Sequence, residues 1–155
     1  MIQRIQSIYL LLTTLLSLLF LNGSFLSFIN KSGSIIKITF NGILKSTAGQ
    51  DFEYLGKVLP LSIIILLIPV LSIITISFFK NRIIQLWLAR ILIGVITFFI
   101  LVSAYYSYSV ATQYNGQIMP GVKIILPFLI LIFSILAFRG IRKDDKLVKS
   151  YDRLR

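Results

Sequence analysis

The sequence has no cysteine and no histidine, and only 5 of its 155 residues are acidic. Each shortage closes off a class of chemistry. Without cysteine there is no disulfide framework, thiolate nucleophile or thiolate-held metal. Without histidine the commonest general base and the commonest nitrogen ligand are gone. The few acids avoid the long apolar runs: Asp51 and Glu53 precede the second, and Asp144, Asp145 and Asp152 follow the last. A proton-coupled carrier usually places a carboxylate inside a span, and here none is available. There is no zincin motif, serine elbow or phosphate-binding loop. Asp51 and Glu53 read as solvated loop charges, since a short loop gives an acid–base pair little pre-organisation. The expectation is a protein that is not an enzyme, with no cofactor and no metal.

What the chain does have is apolar sequence. Hydrophobic residues make up 57%, charged ones 14%, and the mean hydropathy is +0.91. Polar residues are too few to cover a soluble domain of this size, so the long apolar runs point to lipid as the solvent. The length fits one domain, 1–155. Four spans are expected, at about 5–28, 58–79, 83–108 and 122–138. Each is read as a helix, because in lipid the backbone must satisfy its own hydrogen bonds. The second holds about 22 residues, or roughly 33 Å of helix. The first is read as a retained helix, its apolar stretch being longer than the core of a cleaved leader. Pro69 and Pro127 are expected to kink the second and fourth spans. The fold class is an all-α membrane protein.

Orientation follows from lysine and arginine. With an even number of spans, both termini lie on one side. Eleven of the 16 basic residues fall there, against five (Lys31, Lys37, Lys45, Lys57 and Lys123) on the other. The bias predicts cytoplasmic termini, and Trp87, Phe78 and Phe79 at the inner interface with Tyr54, Tyr105, Tyr106 and Tyr108 at the outer agree with it. The external loop, 29–57, alternates in part: Ile36, Ile38 and Phe40 face one way, Lys37, Thr39 and Asn41 the other. Asn41-Gly42 is a turn signal and "STAGQ" a second, so a small external β-hairpin is expected.

Arg90 is the one charged residue in the interior of a span, Lys123 standing at the outer end of the fourth. It lies roughly 10 Å into the third helix, within snorkelling reach of the inner interface. The alternative is a polar partner or lipid phosphate inside the bundle. The tail, 139–155, is patterned. At about 100° per residue, Ile141, Leu147, Val148, Tyr151 and Leu154 fall in one arc of about 140°. Arg142, Lys143, Lys146, Lys149 and Arg153 fall opposite. A basic amphipathic helix is therefore expected to run on directly from the fourth span. It could serve as a topology anchor, contact anionic lipid, or dock a soluble or membrane protein partner, while the bundle itself could pack as a monomer or expose a face for a homo-oligomer. Nucleic acid fits least, with three acids beside seven bases.

Three stretches, "MIQRIQSIYLLL", "FFKNRIIQ" and "LPFLILIFSILAFRGIRKDDKLVKSYDRLR", together resemble domain-of-unknown-function family 4293, small four-helix bacterial membrane proteins. The matching charged residues are Arg4, Lys80, Arg82, Arg139, Arg142, Asp144, Asp152, Arg153 and Arg155. The resemblance implies four spans and a bacterial inner membrane, and assigns no activity. From the residues themselves we expect an accessory or scaffold subunit. Its contact face would hold Arg4, Lys80, Arg82, Arg139, Arg142, Lys143, Lys146, Lys149 and Arg153. The alternative is a small transporter or channel for an apolar or cationic solute, built around the two prolines.

Overall fold

The computed structural model describes residues 5–30, 33–46, 52–113, 116–119 and 121–152. The first helix, α1 (Ile5–Leu21), stops earlier than its apolar run suggests. Asn22-Gly23 follows it, and Gly23 takes φ +76°, the left-handed conformation that ends helices. The chain then enters a strand, β1 (Ser24–Asn30). Residues 24–28 are thus sheet, and with Asn22 and Gly23 they shorten the expected first span to 5–21.

The expected hairpin exists, formed by β2 (Ile35–Thr39) and β3 (Gly42–Ser46). Its two-residue turn is Phe40-Asn41, one position earlier than the Asn-Gly pair suggests, and Gly42 opens β3. Glycine is required there: φ is +148°, and an added Cβ would lie 2.3 Å from the Gly56 carbonyl oxygen. The hairpin belongs to a larger antiparallel sheet. With β4 (Glu53–Gly56) and β5 (Gly116–Met119) the order is β4-β3-β2-β1-β5. The turn expected at "STAGQ" lies largely outside the described residues. Phe28 sits opposite Ile36, and Phe28, Ile36 and Ile38 are all fully buried. They join a core that continues through Leu61, Ile65, Leu92, Ile96 and Phe99 of the helices. The sheet is therefore a cap on one end of the bundle.

The other helices are α2 (Leu59–Ser77), α3 (Arg82–Gln113) and α4 (Leu126–Asp152). They form a ring with α1 in which sequence neighbours touch and α1 closes on α4. Small polar groups lie in the seams. Ser72 Oγ donates to the Leu10 carbonyl at 2.8 Å, joining α2 to α1, while Thr13 and Thr14 bond back within α1. Small hydroxyl residues permit this closeness while keeping their own polar atoms satisfied. Phe20 meets Phe99 edge to face across the core.

Pro69 lies inside α2, but Pro127 sits in the first turn of α4, after a 3-10 turn (Val122–Ile125). A first-turn N–H has no partner within the helix, so proline costs nothing there and the expected kink in the fourth span is absent. At 32 residues, α3 is about 48 Å long. Three helices, Leu59–Ser77, Arg82–Gln113 and Lys123–Val148, are long and apolar enough to cross a membrane; α1, with 17 residues, is apolar but shorter. Large apolar side chains such as Ile63, Phe98, Leu101 and Ile132 stand exposed on the outside of the ring.

Candidate functional site

The end opposite the sheet gathers most of the expected contact residues. It is built from the α2–α3 turn, the start of α1 and the last turns of α4. Asn81 Oδ1 accepts the Ile84 N–H at 3.4 Å and caps α3. Arg82 then reaches sideways: its Nη1 donates to the Asp144 carbonyl oxygen at 2.8 Å, tying α3 to α4. On the other flank, Gly140 lets α4 approach α1, where an added Cβ would stand 3.3 Å from Gln6 Cβ. The continuation of α4 beyond residue 139 is helical, as expected, and it is fastened between two neighbours.

That fastening divides the apolar arc of the tail. Ile141 is fully buried against Leu86 and Ala89, with Phe138 beside them. Leu147 and Val148, both nearly two turns further on, are 46% and 41% exposed. Tyr151 and Leu154 lie outside the residues whose side chains are described, as does Lys149. Arg4 and Arg153 lie outside the described residues altogether. Of the remaining expected residues, Lys80, Arg139, Arg142, Lys143 and Lys146 are exposed and Arg82 is half-buried.

Arg90 is exposed on α3 and stands between two rings. Its guanidinium carbon is 5.6 Å from the centre of Trp87 and 5.9 Å from that of Phe138 on α4. The electron-rich ring faces attract the cation and fix where it points. This arrangement forms one wall of a groove of about 510 Å³ between α3 and α4, which Arg142, Asp145 and Lys146 also line. Arg90, Arg142 and Lys146 thus share one slot, with Asp145 as its acid. A smaller apolar cavity of about 210 Å³ lies nearer the sheet, lined by Phe20, Ile100, Phe128 and Lys123 among others. Among the described residues no cluster of metal-ligating side chains occurs.

Two features escape a reading of the sequence. Phe138 is indistinguishable from the apolar residues around it until α4 is laid beside α3. Gln85 is 1% exposed, and its amide finds no hydrogen-bond partner among the described residues. Its helical spacing with Ala89, Leu92 and Ile96 is the signal that would have placed it inward.

Neither a search of curated proteins nor one of solved structures returns a match. The family described as Domain of unknown function (DUF4293) matches residues 2–154, covering both helix pairs, the sheet and the basic end. The chain belongs to that family.

Proposed function

We propose that the chain is a four-span membrane protein of the bacterial inner membrane, working as a non-enzymatic accessory or scaffold subunit that docks a protein partner on its cytoplasmic face. The membrane reading is supported by the exposed apolar flanks of the bundle, far larger than a protein surface in water tolerates. Two exposed aromatic girdles add to it: Trp87 near one end of α3, Tyr105 and Tyr108 near the other. Eighteen to twenty-one residues separate them, about 27–32 Å of helix, which matches the hydrocarbon thickness of a bilayer. With α1 as the fourth span, the lysine and arginine bias places the basic end in the cytoplasm.

The observation that carries the docking role is the split tail. Its first turns are locked into the bundle by Ile141 and Arg82, so the exposed pair Leu147 and Val148 is presented rigidly, with basic residues around it. Leu147 and Val148, about 100° apart around the helix, widen a short apolar edge that suits a hydrophobic groove on a partner. The test is a photo-reactive residue at Val148 of the full chain in native membranes. One adduct of defined mass, abolished by Leu147→Ser, supports the proposal. No protein adduct, with the chain retained in carbonate-washed membranes, would reject docking and leave the membrane reading in place.

A further inference from the structure

We infer that the groove between α3 and α4 binds the phosphate-bearing headgroup of an anionic phospholipid, with Arg90 as the deepest ligand. The inference rests on the membrane reading above and is independent of the protein-docking role.

The geometry is that of a site for an amphiphile. Phe138, Arg142 and Lys146 are spaced four residues apart and so form a ridge along one face of α4. That ridge runs antiparallel to Trp87 and Arg90 on α3. Over these eight residues the ridge rises about 12 Å. Its lower end, at Phe138 and Arg90, adjoins exposed apolar residues such as Ile91, and its upper end at Lys146 lies among charged ones. A ligand filling the slot therefore meets cations at its head and apolar helix surface at its foot.

The three cations against Asp145 leave the groove net positive, and Asp145 is itself engaged within the protein. Neutral zwitterionic headgroups carry an amine or choline that would be repelled there; an acidic headgroup such as a phosphatidylglycerol has only the phosphate. A free phosphate could reach Arg142 and Lys146 but would gain nothing from the ring-lined, apolar lower end. The arginine orientation also fits: a planar guanidinium held between rings keeps its N–H fork for one bidentate acceptor.

Trp87 is the only tryptophan in the chain and one of the groove residues, so its fluorescence reads the site directly. The experiment titrates the full chain, in a neutral detergent, with phosphatidylglycerol or phosphatidylcholine carrying brominated acyl chains. Saturable quenching is expected with phosphatidylglycerol, at about 25-fold lower concentration than with phosphatidylcholine, two cations contributing about fivefold each. Arg90→Gln should weaken it about fivefold, and Arg90→Gln with Arg142→Gln should erase the preference. Arg142→Lys keeps the charge and should retain the preference, which separates loss of the site from loss of the fold. Equal quenching by the two lipids, or an unchanged preference in the double variant, would overturn the inference. So would competition by inorganic phosphate at equal ionic strength, which would make the site one for a soluble anion. A chain that needs no detergent to stay in solution would instead reject the membrane reading itself.

Discussion

The two ends of the bundle are built on opposite plans. At the sheet end, five strands draw together segments from before α2 and after α3, and their inward side chains Phe28, Ile36 and Ile38 merge with the helix core. At the basic end, among the described residues, no strand covers the helices, and their ties include the Arg82 bond to Asp144, the Gly140 approach to α1, and Ile141. One end invests its residues in burial, the other in exposed charge and an open groove. The difference teaches where stability and where recognition should be sought.

Substitutions can break or sharpen that contrast. The largest effect is expected at the sheet end. Phe28→Ala removes a fully buried ring and should cost about 3–5 kcal/mol, seen as a lower unfolding temperature of the detergent-solubilised protein. If it costs no more than a surface change, the sheet is not the stabilising cap described here. Ile141→Ala is the sharpest test at the other end. Although it lies in the charged tail, its burial predicts a loss of about 2–5 kcal/mol in the same measurement. Arg82→Ala should cost less, about 1–3 kcal/mol, since one charge-assisted bond in a partly exposed place is lost. Its clearer readout is faster proteolysis at the end of α4. Leu147→Ser, on an exposed side chain of the same helix, should change stability by less than about 0.5 kcal/mol. A loss comparable to that of Ile141→Ala would mean that the tail packs throughout its length.

Much of this was legible from the sequence, and the misreadings have physical causes. Long apolar runs located the four helices, and the alternation around Ile36 and Ile38 located the hairpin. The end of α1 was misplaced because Ser24–Phe28 is as apolar as a span, while the Asn22-Gly23 stop signal is only two residues long. β5 was missed because four residues carry too little periodicity to stand out; it is a strand only because β1 offers it an edge. At the basic end, helical periodicity grouped Ile141 with Leu147 and Val148. It could not divide them, since the division is made by α1 and α3 from elsewhere in the chain. The groove around Arg90 was hidden for the same reason: its two rings come from different helices.

The strand order has a consequence for biogenesis. β1 through β4 are contiguous and their pairing is complete by Gly56, whereas β5 joins the free edge of β1 from some ninety residues further along. During synthesis that edge stays open until α3 has been made, and it can be covered once β5 has followed, before α4 is complete. The sheet thus acts as a late latch, closed by the strand that lies between α3 and α4. Amide exchange at Ser27 to Asn30 should be fast in chains halted before Gly116 and slow in complete ones; equal rates would show that the latch closes nothing.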